Sequence, residues 1–244
     1  MKGSKPIRLN RYLAMCGFGS RRNVESLVIA GEVTIDGKAV RDLSARIFDG
    51  NVVLVNGRRA IPEKNLYFLM NKPLGIVCAV RDKYYDTVTD ILPDKYRNRH
   101  IFPVGRLDRM SSGLIILTND GDLAHRIIHP GSGINKTYEV LLNRKMVFDD
   151  LMRWKRGIVV SEKYIKPVSV DIMKRNPLGR WVEIVLTEGI KREIRLMAAA
   201  LGYSVRRLSR KKIGRMELVN LQEGCVTRVT KGEILDFIIN GGKI

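Results

Sequence analysis

The chain is short of acid, of cysteine and of long apolar runs, and each shortage rules something out. Its 244 residues hold 25 Asp and Glu against 44 Lys and Arg, a formal charge of +19 at neutral pH. A field of that size concentrates polyanions, so nucleic acid is the first expected partner and an anionic membrane surface the second. No stretch of about 18 apolar residues occurs, which excludes a helical bilayer span. The opening run MKGSKPIRLNRYLAM has bases but neither a long apolar core nor a small-residue cleavage site, so no secretory signal is expected. Cys16, Cys78 and Cys225 lie too far apart for a disulfide framework or a zinc knuckle and suit a reducing cytoplasm. An internal repeat and a low-complexity tract are also missing.

What is present suffices for a folded core, since 45% of the residues are apolar and the length fits one or two domains. Two parts separate. In residues 6–58, Leu9, Tyr12 and Leu13 share a helical face, Gly17 and Gly19 stop that helix, and Ser20 can cap a second that ends near Gly31. VTIDGKAV follows as a hairpin turning on Asp36-Gly37. Residues 1–60 carry eleven Lys and Arg against five acids, with Arg8, Arg11, Arg21 and Arg22 on or beside the helices. That face fits phosphate gripping and fits a solvated basic surface equally well.

The second part, residues 64–240, alternates apolar strands with few helices. NLYFLMNKPLGIVCAV reads as strand, turn and strand; LIILT, KTYEVLL and RWVEIVLT are further strands. Asp120 can cap a helix over GDLAHRIIH, KREIRLMAAALG is a helix stopped by Gly202, and TKGE at Thr230–Glu233 is a capping box. This order favours an α+β domain over a regularly alternating parallel sheet.

One stretch, VGRLDRMSSGLIILTND, seats Asp108 between Arg106 and Arg109 just ahead of an apolar strand. Asp108 is open to three readings: a surface loop acid, a structural partner of Arg106, or a catalytic carboxylate. No second carboxylate or histidine stands nearby at metal-ligand spacing. His125 and His129 are four apart without the glutamate of a metalloprotease helix, and read as helix-surface residues. Tyr138 in KTYEV fits a packed strand tyrosine, and Arg195 a solvated helix face. Residues 189–217 hold nine bases against two acids, a density suited to RNA phosphates.

Residues 6–53 resemble an S4 RNA-binding domain. The string GRLDRMSSGLIILTNDGDL is similar to the signature of the RsuA/RluB/RluF family of ribosomal-RNA pseudouridine synthases: Gly105-Arg106-Leu107-Asp108, then Ser112-Gly113, then an apolar strand closing on Thr118-Asn119-Asp120-Gly121. NKPLG at Asn71–Gly75, KTYEV at Lys136–Val140 and EGIKREIRLM at Glu188–Met197 follow in family order. Where many relatives carry Gln-Ile-Arg-Arg-Met, this chain has Glu193-Ile194-Arg195-Leu196-Met197, and Ser111 replaces the usual threonine.

The resemblance implies an S4-like module at 6–58 and a catalytic domain at 64–240 on a mixed, mainly antiparallel sheet with flanking helices. It implies isomerisation of a uridine to pseudouridine in ribosomal RNA, large-subunit RNA ahead of small. Asp108 would be the essential carboxylate, Tyr138 the active-site tyrosine and Arg195 the aspartate's cationic partner. Arg106 would fill the gap left by the flipped base. Arg8, Arg11, Arg21, Arg22, Lys72, Lys191 and Arg192 complete the expected RNA contacts. Nothing is oxidised and no group is gained, so neither a cofactor nor a metal is expected. The expected partner is ribosomal RNA or an assembly particle, met by a cytoplasmic monomer away from membranes. Two rivals stand beside this reading. One is a non-catalytic ribosome-assembly factor on the same fold. The other is a methyltransferase, which would want a glycine-rich cofactor loop that the chain does not convincingly supply.

Overall fold

A computed structural model of the protein describes residues 5–97, 99–160, 162–187 and 192–244, with Lys243 described for its backbone alone. Cα packing divides the chain into two units, Met1–Asn65 with Lys95–Ile101, and Leu66–Asp94 with Phe102–Ile244. Lys95–Ile101 thus lies inside the span expected as the second domain yet belongs with the first unit, where Arg99 approaches Glu63 at 3.9 Å.

In the first unit, β1 (Ile7–Arg8) runs into α1 (Leu9–Met15), whose Leu9 and Leu13 are buried. Spacing of four puts them on one helical face. Before α2 (Asn23–Ala30), Ser20 Oγ accepts the Asn23 N–H at 3.2 Å, and Gly31, at φ +77°, ends that helix. β2 (Val33–Ile35) and β3 (Lys38–Ala39) form the expected hairpin. Asp36 and Gly37 both take positive φ, as a tight turn matched to strand twist demands. β4 (Arg46–Ile47) pairs with β1, while β5 (Val53–Val55) and β6 (Arg58–Arg59) complete a sheet ordered β3-β2-β5-β6. Leu9, Leu13, Val24, Val28, Val33 and Val53 form its core.

The second unit is built on one large sheet. Its elements are β7 (Tyr67–Lys72), β8 (Phe102–Val104), β9 (Ser112–Thr118), α3 (Gly121–Ile128), β10 (Lys136–Leu142) and α4 (Phe148–Arg156). Then come β11 (Ile158–Val160), β12 (Lys163–Ile165), β13 (Ser169–Ile172), β14 (Trp181–Leu186) and α5 (Glu193–Ala200). β15 (Val205–Ile213), β16 (Met216–Glu217), β17 (Val226–Val229), α6 (Lys231–Ile239) and β18 (Gly242–Lys243) close the chain. The main path is β13-β14-β10-β15-β9-β7-β17, with β8 on β9 and β16 between β15 and β18. Among the described residues only the β9–β15 and β16–β18 pairs are parallel, so the domain is α+β with a mainly antiparallel sheet, as expected.

β9 is buried along its whole length. Its Leu114 and Ile116, with Tyr67 and Leu69 of β7, join α3 and α6 in one apolar cluster. Strand alternation therefore turns Lys72 and Gly113 to the opposite face. The strand expected after the Lys72–Gly75 turn does not form; Val77 makes a single bridge to Thr87 instead. Periodicity also leaves β15 unassigned, because five of its nine residues are basic.

Asp120 joins strand, helix and C-terminal helix. Its buried carboxylate accepts from the N–H groups of Asp122 and Leu123, from Tyr67 Oη at 2.9 Å and from Lys231 Nζ at 2.8 Å. Burial alone would push its pKa up, but Lys231, the Leu123 N–H and Tyr67 outweigh that and hold it below the ordinary aspartate range. A carboxyl depressed in the fold contributes stability above its unfolded pKa and loses it as pH falls through the folded one. Asp120→Ala is therefore expected to cost about 2–4 kcal/mol at neutral pH, combining a lost cap with stranded buried donors. In denaturant titrations the difference between parent and variant shrinks as pH drops through the acid range; a constant difference would refute this account.

Candidate active site

Asp108 lies half-buried in the turn between β8 and β9. The four carbonyls from Asp108 to Ser111 are all occupied. The Asp108 oxygen accepts the Ser111 N–H at 2.9 Å. The Arg109 oxygen accepts the Gly75 N–H at 2.9 Å and Lys72 Nζ at 3.4 Å. The Met110 oxygen accepts Arg195 Nη2 at 2.6 Å, and the Ser111 oxygen accepts Lys72 Nζ at 2.8 Å. Lys72 also donates to Pro73 O at 2.8 Å, and Arg195 to Val205 O at 3.1 Å. Leu107 N–H, just ahead of the turn, meets Cys78 Sγ at 3.2 Å.

Two expectations change. Lys72, expected among the RNA-contacting cations, is 0% exposed and spends its ammonium on three carbonyls. A phosphate cannot reach it. Arg195, expected as the partner of Asp108, bonds to carbonyls instead, and among the described residues Asp108 has no ion pair within 4.0 Å. The carboxylate is felt at longer range. Burial lowers the pKa of Arg195, Asp108 raises it and Arg192 lowers it again. Burial also lowers Lys72, against the charges of Cys78, Glu223 and Asp108. Burial raises Cys78, where Asp108 adds to the rise. The acid thus sits in a positive surrounding without being consumed by it.

Tyr138 reaches the same neighbourhood by strand register. It lies opposite Ile184 of β14 on one side and Arg210 of β15 on the other. Arg210 lies opposite Gly113 of β9, and Gly113 opposite Lys72 of β7. One row across the sheet therefore carries Tyr138, Arg210, Gly113 and Lys72. Gly113 has φ +111°, and a Cβ there would collide with the Arg210 backbone, so only glycine lets β15 close on β9. Tyr138 is 8% exposed, and its phenol makes no hydrogen bond with the described residues.

Arg210 is the residue that sequence reasoning missed. It is 4% exposed, its Nε donates to Leu114 O at 2.7 Å, and its Nη2 is buried with no partner among the described residues. Its only sequence signal was charge, which placed it in a surface patch. Lys136 nearby donates to Thr187 O at 2.9 Å; burial and the Arg210 charge both lower its pKa.

The remaining candidates are at the surface. Arg106 and Arg192 are exposed, Arg192 at φ +58° as α5 begins; Lys191 lies outside the described residues. In the first unit Arg8, Arg11 and Arg21 line a concavity of about 410 Å³, joined by Arg46. Arg22 is exposed and outside that lining. Arg8 and Arg46 are cross-strand partners, a like-charge pair that costs stability unless an anion lies against it. Among the described residues no group of His, Cys, Asp and Glu is disposed to hold a metal. His129 Nδ1 accepts the Gly131 N–H, a turn contact.

The model of the RNA pseudouridylate synthase family matches residues 66–200, which holds β7, Asp108, Tyr138 and Arg195. The chain belongs to that family. The S4 domain model matches residues 7–53. The synthase is 36% identical over 214 residues to the uncharacterized RNA pseudouridine synthase YtzG of Bacillus subtilis (strain 168), covering 87% of this chain and 90% of that one. It is 32% identical to the same organism's ribosomal large subunit pseudouridine synthase B, covering 93% of each. A crystal structure of a pseudouridylate synthase superposes with a TM-score of 0.67 at 28% identity, covering 94% of this chain and 98% of that one.

If Lys72 of the synthase is a backbone brace, Lys72→Met should cost about 2–4 kcal/mol by stranding buried carbonyls. The salt slope of RNA binding should stay at the parent value. A slope shallower by about one would instead mark a phosphate contact.

Proposed function

We propose that this RNA pseudouridine synthase isomerises one uridine of ribosomal RNA, in the large subunit, with Asp108 as its essential carboxylate. The observation carrying this reading is a half-buried carboxylate within electrostatic reach of Lys72 and Arg195 yet free of any direct ion pair among the described residues. The large-subunit choice draws on the 32% identity to the large-subunit synthase of Bacillus subtilis.

The reaction breaks the C1′–N1 bond, turns the uracil and joins C5 to C1′; the C5 proton leaves and N1 takes one up. Negative oxygen is needed beside C1′ as the base departs, and Asp108 supplies it. Its orientation comes from the braced turn and not from a contact to its own oxygens. Tyr138 stacks on the uracil. Arg210 Nη2, which has no acceptor among the described residues, binds a uracil oxygen as negative charge develops there. A uridine inside a helix is out of reach, so the nucleotide is flipped at a cost of a few kcal/mol, and exposed Arg106 fills the gap. The arginine-lined concavity of the first unit and exposed Arg22 and Arg192 bind phosphates. All groups of the site come from one chain, which fits a monomer, and three unpaired cysteines fit the cytoplasm.

With ribosomal RNA tritiated at uridine C5, the parent should release tritium with no added cofactor. Asp108→Asn should lower that rate by at least about 10²–10³-fold at unchanged melting temperature. Release at the parent rate would end the assignment. Arg210→Met should lower the single-turnover rate while leaving RNA affinity within about threefold, because one buried donor is lost and no phosphate contact. Parent affinity should fall steeply with salt, and Arg8→Ala should make that dependence shallower by about one in slope. Affinity indifferent to salt would count against docking through phosphates.

A further inference from the structure

Residues 76–90 form neither helix nor strand beyond the Val77–Thr87 bridge, yet they are tightly braced. Val77 N–H donates to Asp86 O at 2.9 Å and Val88 N–H to Val77 O at 3.0 Å. Thr89 Oγ1 donates to Val80 O at 2.8 Å, and Asp90 accepts from both N–H and hydroxyl of Thr87. At the tip, Asp82 Oδ1 accepts the N–H groups of Tyr84 and Tyr85 at 2.9 and 3.1 Å. A loop this well bonded holds its side chains in place, and what it holds out is aromatic: Tyr84 is 76% exposed and Tyr85 49%.

Both rings carry cations. Lys83 Nζ lies 5.3 Å from the Tyr84 ring centroid, and Arg109 Cζ lies 4.4 Å from that of Tyr85. Arg109 is the residue after Asp108, so Tyr85 is stacked on the turn that bears the carboxylate. The loop's near end is fixed to the same turn through Cys78 Sγ and the Leu107 N–H. Val80 in the same loop and Met110, the residue after Arg109, are exposed apolar side chains as well.

We infer that Tyr84 and Tyr85 form a stacking platform for unpaired bases of the RNA strand flanking the target uridine. The inference rests on the RNA-acting reading of the site and adds a binding element to it. Aromatic rings accept any base face and keep their affinity when salt screens phosphates, and flanking cations suit a polyanionic strand better than an apolar protein surface. Because Arg109 ties the platform to Asp108, bases held there fix the distance to the reacting nucleotide, which a remote phosphate grip cannot do.

The test uses the full chain and two probes, a mixed-sequence single-stranded RNA oligonucleotide and its fully paired duplex. Tyr84→Ala and Tyr85→Ala should each weaken single-strand binding by about tenfold with an unchanged salt slope, while Tyr84→Phe binds as the parent does. The tryptophan introduced by Tyr84→Trp should be quenched by the single strand and not by the duplex. Parent-level binding by Tyr84→Ala, or no quenching at saturating single strand, overturns the platform, including the case in which the rings serve a protein partner. Tritium release by the parent reports separately on the enzyme reading. Release without quenching sinks the platform alone, and quenching without release sinks the isomerase reading alone.

Discussion

Four consecutive carbonyl oxygens, from Asp108 to Ser111, each accept a hydrogen bond, and three of the four are gripped by groups from β7, from the turn after it, or from α5. A carbonyl shielded from water and left unpaired, as Ser111 O would be without Lys72, costs free energy comparable to a lost hydrogen bond. Meeting that demand with Lys72 and Arg195 fixes the turn and brings two positive charges close to the Asp108 carboxylate. Neither charge touches it. A direct salt bridge would have to be broken or desolvated before the acid could approach a ribose, whereas charges bonded to the backbone keep their position whether or not the acid moves. The turn's backbone, and not the acid, is what the cations hold.

The sheet makes this arrangement possible by one close approach. β9 lies between β7 and β15, and at Gly113 the β15 backbone is so near that no side chain fits. That contact carries Arg210 into line with Lys72 on one side and Tyr138 on the other. Since neighbouring strands lie about 4.8 Å apart, residues distant in the chain become neighbours in a single row. Residues that act together in the proposed reaction thus come from β7, β10 and β15 and from the β8–β9 turn. α3 and α6 cover the opposite face with an apolar cluster that makes no demand on the site.

Local patterning made much of the fold legible. Leu9 with Leu13, Asp36-Gly37, Asp120 and Thr230–Glu233 each signal their structure through neighbours a few residues away, and all form as expected. The misses share a cause. β15 hides because its basic residues look like surface, although Arg210 is buried by pairing with strands that lie far away in sequence. The stretch after Gly75 looks like a strand because it is apolar, but Cys78 is taken up by the Leu107 N–H and Val77 by one bridge. Lys72 is a lysine after a strand, and composition cannot tell a buried ammonium from a solvated one. Asp108 itself was legible as part of a family string, while the way it is held depends on tertiary bonds to Gly75, Lys72 and Arg195.

The chain's positive charge therefore divides into two kinds with different physics. Arg8, Arg21, Arg22 and Arg106 are exposed, so salt screens them and their worth lies in long-range attraction and phosphate contact. Lys72 and Arg210 are buried on neutral carbonyls, an arrangement that costs desolvation and that apolar side chains of similar size would avoid. Retaining them makes sense if a positive potential is wanted where a base leaves as an anion and a carboxylate must stay uncommitted. Water excluded from the row weakens screening, so each buried charge acts more strongly there than at the surface. The Arg210 nitrogen is the clearest sign of that bias: among the described residues it is buried without a hydrogen-bond acceptor, which in the proposed reaction the uracil supplies.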